Sequence, residues 1–182
     1  MRKLGEFVLV ASVLLCCASC STEREYTQDA VTNYRALWTI LDEGYCYFDE
    51  KLVSEINGGL LVYIAVEDDD TEADLEYIFK KVTNMRIFSD EDDKMNLSVL
   101  DVHGEILLVS QFTLYGDARK GNRPNFMRSA KAEKAESYYE IFKEKLKTSG
   151  IKFKSGVFGA DMHIHAHLSG PVTILLDSKK EF

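Results

Sequence analysis

Three short segments contain the residues that could carry chemistry: a polar strand end, a Gly-Pro step and a basic loop. The run EILLVSQFT stops being apolar at Ser110, Gln111 and Thr113, and SGPVT (169–173) sets a Gly-Pro step between two apolar stretches. Backbone N–H groups at a strand end are free to donate hydrogen bonds to a reacting group, so the first segment is a candidate catalytic segment. The basic loop DARKGNRPNF (117–126) suits phosphate, because its glycine lets the backbone approach an anion beside cationic side chains.

A second candidate chemistry lies in MHIHAHL, where three histidines alternate with apolar residues. On a strand, His163, His165 and His167 share one face, and three histidines are a common ligand set for catalytic zinc. The rise along a strand spreads them over roughly 13 Å, so a neighbouring pair reaches one ion more easily than all three. A polar sheet face or a dimer surface is the favoured interpretation, and a metal-dependent hydrolase ranks third among the functions.

The surrounding sequence predicts a mixed α/β body whose sheet is mostly antiparallel. GLLVYIAV (59–66) is a continuous apolar run typical of a central strand. Helices are predicted from Asp70 or Thr71 onwards and over about 130–148, each with apolar residues on one face. A His103–Gly104 turn predicts a hairpin that leads into SQFT. Further strands are expected near 151–153, 162–168 and 172–177.

The first 51 residues differ in character from this body. A basic start, an apolar run over 7–15 and two small residues before Cys20 resemble a bacterial lipoprotein signal, in which Cys20 is lipidated. An amphipathic helix is expected after Asp29. The stretch NYRALWTILDEGYCYFDEK resembles the N-terminal prelude of tail-specific serine peptidases, but no matching Ser–Lys pair follows. We therefore expect a signal-like segment (1–20), a helical extension (21–51) and the α/β body (52–182).

Charge is unevenly distributed along a chain whose formal net charge is −8. Residues 67–105 carry 13 acidic and 4 basic side chains, whereas residues 115–155 carry 11 basic and 5 acidic ones. The overall acidity argues against wrapping nucleic acid over the whole surface, but the second segment gives one face that suits a polyanion. All four cysteines precede residue 47, so a disulfide framework does not hold the body together.

Six segments of the body, taken together, resemble the D-aminoacyl-tRNA deacylase (DTD) family over about residues 53–178. They are GLLVYIAV, RIFSDEDDKMN, SQFTLYGD, RKGNRP, GVFGADM and SGPVT, in the family's order. The resemblance implies a barrel-like sheet with two main helices, preceded here by an extension that does not match. It also implies hydrolysis of the ester that joins a D-amino acid, or glycine mischarged on tRNA-Ala, to tRNA. This quality-control step of translation needs no metal and no organic cofactor in the family.

The same resemblance implies a site shared between the two subunits of a homodimer. One subunit is expected to supply Gly170 and Pro171 for substrate binding. The corresponding bond is cis in the family, although the sequence alone does not call for it, because X-Pro bonds are usually trans. In the family, the carbonyl turned by that bond excludes the side chain of an L-amino acid, which is rejection by shape. The other subunit supplies the catalytic segment, Ser110, Gln111, Phe112 and Thr113.

Within this segment, the N–H groups around Phe112 and Thr113 are the expected oxyanion donors. Thr113 is expected to position the substrate rather than attack it, because neither His nor Lys stands beside it to activate its hydroxyl. The tRNA acceptor end is expected to contact Arg119, Lys120 and Arg123, whose alternative interpretation is a solvated loop.

Two departures from the family pattern accompany these expectations. Nothing before Val53 matches the family's first strand, so the body is expected to lack its leading strand and to expose a sheet edge. The usual Asn-x-Gly-Pro is replaced by Leu168-Ser169 before the Gly-Pro step. Aminoacyl-tRNA as the partner implies the cytoplasm. The alternative is a membrane lipoprotein anchored through Cys20, with an inactive deacylase-like body.

Overall fold

The structure is a computed structural model, and it describes residues 36–180. The predicted signal, Cys20 and the start of the predicted helix after Asp29 lie outside the described residues. Within them no helix is long and apolar enough to cross a membrane. In chain order, the strands are β1 (Ala36–Phe48), β2 (Lys51–Ile64), β3 (Phe88–Ser89), β4 (Met95–Leu97), β5 (Glu105–Ser110), β6 (Phe153–Ser155) and β7 (His163–Leu176).

A five-stranded mixed sheet organises the body, in the spatial order β6-β5-β2-β1-β7. The pairs β1–β2 and β1–β7 are antiparallel, whereas β5 runs parallel to both β2 and β6. The predicted central strand 59–66 is confirmed, because β2 lies in the middle of the sheet with Leu60, Leu61 and Val62 buried. The short β3–β4 hairpin carries the acidic turn.

The helix predicted within residues 21–51 is wrong over its described part, because Ala36–Phe48 is a strand. Asp49 and Glu50 connect β1 to β2, with φ angles of 48° and 61°. Positive φ at both central residues is the geometry of the tight hairpin turn that matches strand twist. Asn-Gly and Asp-Gly are the usual sequence signals of such a turn, and Asp-Glu is not one of them. Pairing with β2 and β7 makes this segment a strand despite the helical spacing of its apolar residues. The sheet therefore begins before Lys51.

The hairpin predicted around His103–Gly104 is also wrong. Residues before β5 form turns, in which the Gly104 N–H donates to the Val99 carbonyl at 2.9 Å, and β5 pairs with β2 in parallel. Ile106, Leu107 and Leu108 are all fully buried, so both faces of β5 are covered. A continuous apolar strand covered on both faces is typical of parallel pairing across a helical connection.

Two helices cover one face of the sheet: α1 (Glu72–Asn84) and α2 (Ala132–Ser149). Both predicted helices are confirmed. The Asp74 carboxylate accepts from the backbone N–H of Thr71 at 2.9 Å, which satisfies a free donor at the start of α1. Gly150 ends α2 in the left-handed region, with φ of 77°. Leu75, Ile78 and Phe142 join the helices to the sheet core.

The opposite face of the sheet packs against the first half of β7. Ile164, Ala166 and Leu168 lie against a second core cluster that includes Leu41 and Leu107. The sheet therefore curls until its last strand covers its own face, as expected for a barrel-like sheet. The two strands predicted at 162–168 and 172–177 are one continuous strand, interrupted by an irregularity in its pairing with β1.

Candidate functional site

A pocket of about 460 Å³ opens where β2 and β5 end. Pockets of a few hundred Å³ are typical of sites for small molecules and for parts of larger ligands. The end of β5 forms one wall, α2 forms another, and the segment 158–162 before β7 closes a third side. Six residues define its outline: Ser110, Gln111, Phe112, Ser129, Tyr139 and Phe158.

The SQFT segment turns sharply at the mouth of this pocket. The Gln111 N–H donates to the Ile64 carbonyl at 2.9 Å, which ties the end of β5 to the end of β2. A 3-10 helix then runs over Phe112–Tyr115. The first N–H groups of any helix have no acceptor within it, so those of Phe112 and Thr113 are the candidate oxyanion donors.

Thr113 is held by its neighbour rather than by a base. The Gln111 side-chain Nε2 donates to the Thr113 hydroxyl oxygen. An amide N–H has no basic lone pair to take a proton from that hydroxyl, so this contact orients Thr113 without activating it. Ser110, Gln111 and Phe112 line the pocket, whereas Thr113 lies just behind its mouth.

The inner wall of the pocket is fixed by Tyr139 of α2. Its hydroxyl donates to the Leu108 carbonyl at 2.9 Å, and its ring centroid lies 5.9 Å from that of Phe158. Burial raises the pKa of Tyr139 above its ordinary value. The phenol joins α2 to β5 and shapes the inner wall of the pocket.

The basic loop lies beside the same mouth, and its two ends are joined by a two-way bridge between Asp117 and Asn125. Arg119 is directed back to Asp117, with Nη2 2.6 Å from Oδ2 and Nε 2.8 Å from Oδ1. Hydrogen bonding to Arg119 holds the pKa of Asp117 well below its usual range. Arg119 thus braces the loop, while Lys120 and Arg123 are exposed to solvent.

Three contacts anchor the far end of this loop, and the sequence did not suggest them. The Arg128 Nε lies 2.6 Å from Glu67 Oε1, and the Ala130 N–H donates to the Val66 carbonyl at 2.8 Å. Between them, the Ser129 hydroxyl donates to the Phe112 carbonyl at 2.9 Å. The loop is therefore pinned both to the end of β2 and to the SQFT segment. The only sequence signal for it is the polar pair Arg128–Ser129 before α2.

Gly170 and Pro171 lie on β7, where its pairing with β1 is most irregular. Thr39 pairs with Thr173 and Leu41 pairs with Leu168, so β7 places three more residues than β1 between these two points. The structure records no cis peptide bond in its described residues, so it adds no support to the cis bond that the family resemblance implies between Gly170 and Pro171. The left-handed φ of Gly170, 104°, suits a bulge at this point of the strand.

Thr39 is a further residue that sequence reasoning missed. It is 6% exposed, and its hydroxyl donates to the Val172 carbonyl at 2.9 Å and accepts from the Thr173 hydroxyl at 3.2 Å. It therefore ties β1 to the residue that follows the Gly-Pro step. A lone threonine inside an apolar run carries no signal for this role.

The structure also bears on the metal hypothesis. The only group of three potential ligands in the described part of the chain is acidic: Glu67, Asp69 and Asp70. Lys179 contacts it, with Nζ 2.6 Å from Glu67 Oε2. His163, His165 and His167 are exposed along β7, and His167 Nδ1 lies 2.9 Å from Glu43 Oε1. The three imidazoles therefore form a polar sheet face rather than converging on a single point.

Known proteins resemble this chain over most of the described body. Residues 41–177 match the protein family described as D-Tyr-tRNA(Tyr) deacylase. A D-aminoacyl-tRNA deacylase from Clostridium beijerinckii is 55% identical over 134 residues, which cover 74% of this chain and 90% of that protein. An inactive D-aminoacyl-tRNA deacylase from Bacillus subtilis is 52% identical over 131 residues, covering 72% and 99%.

Among solved structures, one described as a c-Myc DNA unwinding element binding protein superposes with a TM-score of 0.75. It is 36% identical, and the match covers 79% of this chain and 97% of that one. The family match begins at residue 41, inside β1. The expectation that similarity starts only at Val53 is therefore wrong, and the reason is that the strand β1 had been interpreted as a helix.

Proposed function

The chain belongs to the D-Tyr-tRNA(Tyr) deacylase family, and we propose that it hydrolyses the ester between a D-amino acid and the 3′ adenosine of a tRNA. Glycine mischarged on tRNA-Ala is the second expected substrate. The observation that carries the proposal is the SQFT turn at the mouth of a 460 Å³ pocket, in a chain of this family. Release of the amino acid removes wrongly charged tRNA from translation.

The chemistry needs few side chains, because an aminoacyl ester is already activated. Water attacks the carbonyl carbon, and the carbonyl oxygen takes the negative charge, which the N–H groups of Phe112 and Thr113 stabilise. The C–O bond to the ribose then breaks, the ribose oxygen takes up one proton of the attacking water, and the amino acid leaves as its carboxylate while the second proton passes to solvent. The hydrogen bond from Gln111 to Thr113 supports a positioning role for the threonine.

Gly170 and Pro171 complete the proposed site from a second copy of the chain. They lie on β7, at an edge of the sheet, whereas the pocket lies at the ends of β2 and β5. A site that uses both segments suits a homodimer, in which β7 of one subunit approaches the pocket of the other. The backbone at Gly170 and Pro171 then rejects an L side chain by its shape.

The exposed cations of the loop suit the acceptor end of the tRNA. Lys120 and Arg123 are the proposed phosphate contacts, and Arg119 supports them by bracing the loop against Asp117. Aminoacyl-tRNA as substrate places the proposed activity in the cytoplasm. Because β1 is part of the sheet, we propose that the enzyme body includes Ala36–Phe48 and does not begin at residue 52.

Deacylation of D-Tyr-tRNA and L-Tyr-tRNA by the purified full-length chain tests the proposal. We expect the D ester to be cleaved far faster than its spontaneous hydrolysis, and the L ester to remain at the spontaneous rate. Equal spontaneous rates for both esters, with a folded protein that binds tRNA, would reject the proposal.

That outcome would instead favour the second candidate, an envelope protein with an inactive deacylase-like body. The Bacillus subtilis relative, which is 52% identical and described as inactive, bears on the inactive body of this candidate and not on its anchor. Metabolic labelling with a fatty acid tests its anchor: labelling that disappears in Cys20→Ala supports lipidation at that residue, and absence of label rejects it.

A further inference from the structure

Phe112 is an exposed aromatic side chain at the rim of the pocket. It contributes to the pocket lining, yet 57% of its surface is open to solvent. Leu114 and Tyr115, in the same 3-10 helix, are buried at 3% and 2% exposure, so they provide the packing of that helix. Single exposed apolar side chains are common on protein surfaces, so the position of the ring in the pocket lining, rather than its exposure, makes it a candidate contact.

The ring is held in place by the loop that crosses next to it. The rings of Phe112 and Phe126 meet edge to face, with centroids 5.3 Å apart and planes at 71°. The Ser129 hydroxyl donates to the Phe112 carbonyl, and the neighbouring Arg128 is paired with Glu67. Because the ring is ordered before any ligand arrives, little conformational entropy is lost when something packs against it.

The surroundings of the ring indicate what packs there. Lys120 and Arg123 are exposed on the same loop as Phe126, so the loop that packs against the Phe112 ring also carries exposed positive charge. Aromatic rings and cations together suit single-stranded nucleic acid, because the cations contact the phosphates while bases stack on the ring. The 3′ end of a tRNA is unpaired, so the base that precedes the esterified adenosine is free to stack.

We propose that Phe112 stacks against the nucleobase that precedes the esterified 3′ adenosine. The inference rests on the proposed function, since it takes an acylated tRNA end as the ligand. Phe112 then has two separate roles: its backbone N–H faces the reacting carbonyl, and its ring holds the next nucleotide. Phe126 and Ser129 are positioning residues for that ring.

Binding of short RNA to the full-length chain tests the proposal without requiring turnover. The probes are the dinucleotide CpA and the same dinucleotide with an abasic residue in place of cytidine, each measured by calorimetry at one salt concentration. Stacking of one base contributes about 1–3 kcal/mol, so removing the base is expected to weaken binding roughly 5- to 140-fold. In Phe112→Leu, which keeps an apolar side chain but has no aromatic face, the two probes are expected to bind almost equally.

Two further variants make the result specific. Phe112→Tyr retains the ring and is expected to retain the difference between the probes. Met127→Ala removes an apolar side chain that is 85% exposed on the same loop, and it is expected to leave the difference unchanged. If Phe112→Leu loses affinity for both probes by the same factor, or if the wild type does not distinguish them, the proposal is wrong.

Other outcomes separate this inference from neighbouring ideas. If Phe112→Leu weakens self-association in sedimentation velocity and leaves the probe difference intact, the ring belongs to a subunit interface and the proposal fails. A wild-type chain that distinguishes the probes but does not cleave D-Tyr-tRNA would reject the proposed function and retain the stacking contact. A chain that cleaves the ester without distinguishing the probes would support the proposed function and reject the stacking contact.

Discussion

Replacement of Thr39 by Val tests whether a single buried hydroxyl holds the Gly-Pro bulge to the sheet. Valine has almost the same shape, so the change removes the hydroxyl and little else. The Val172 carbonyl loses its donor at 2.9 Å, and the Thr173 hydroxyl loses its acceptor at 3.2 Å. Thr39 is 6% exposed, so water does not easily replace the missing group.

The expected loss in the free energy of unfolding is about 1–3 kcal/mol, the cost of leaving a buried acceptor without a donor. Urea unfolding at pH 7 and one fixed protein concentration measures it. With an m-value of roughly 2 kcal/mol/M, a loss of about 2 kcal/mol moves the midpoint down by about 1 M. If Gly170 and Pro171 set the preference for D substrates, the ratio of D-Tyr-tRNA to L-Tyr-tRNA cleavage also falls.

Two matched variants decide whether the hydroxyl is the cause. Thr39→Ser keeps the hydroxyl and removes one buried methyl group, worth about 0.8 kcal/mol. Thr173→Val removes only the longer hydrogen bond and is expected to lose about 0.5–1.5 kcal/mol. If Thr39→Val proves no less stable than Thr39→Ser, the reasoning is refuted, because packing rather than hydrogen bonding would then explain the residue.

Three more predictions concern the fold, the loop anchor and the basic loop. Gly59→Ala would set a Cβ 2.0 Å from the Glu105 carbonyl oxygen, so we expect it to lower the free energy of unfolding, measured in urea, by about 3 kcal/mol or more. Gly58→Ala is expected to be tolerated, because its Cβ would lie 3.9 Å from the nearest atom. Burial raises the pKa of Glu67, but hydrogen bonds from Arg128 and Lys179 outweigh this and lower it overall. The Glu67 carboxylate therefore stabilises the fold above its unfolded pKa of about 4.3. The difference in free energy of unfolding between wild type and Glu67→Gln should shrink as the pH falls below that value. A difference that stays constant between pH 7 and pH 3 would contradict this. Arg123→Ala should weaken tRNA binding and reduce its dependence on salt by about one phosphate contact. Lys154 is an exposed cation on β6, and Lys154→Ala should change neither quantity. Equal effects of the two variants would mean that the basic loop does not contact the tRNA.

The parts of the fold that the sequence predicted are those with strong local signals. The α1 helix has its cap at Thr71, and the central part of β2 is a continuous apolar run. The β1 strand was missed because Asp49 and Glu50 form a turn with positive φ angles, and Asp-Glu is not a usual sequence for such a turn. The direction of β5 was missed because parallel pairing is decided by distant contacts rather than by the nearby His103–Gly104 dipeptide.

The candidate site divides in the same way. The strand end in the sequence pointed to Ser110 and Gln111, the family resemblance added Phe112, and all three line the pocket. The contacts made by Thr39 and Ser129 reach 133 and 17 residues along the chain. No local pattern encodes such partners, so only the folded chain reveals them.

The pairing of β1 with β7 also shapes how the protein is made. These are the first and last strands of the described chain, and Ala36 pairs with Leu176. During synthesis, the β1–β2 hairpin leaves the ribosome with one edge of β1 unpaired, and its partner β7 emerges only after the whole segment that separates β2 from β7. Contacts between such distant segments form slowly, because a long loop must close before they contribute. Folding of the body is therefore expected to finish only after its last strand is released.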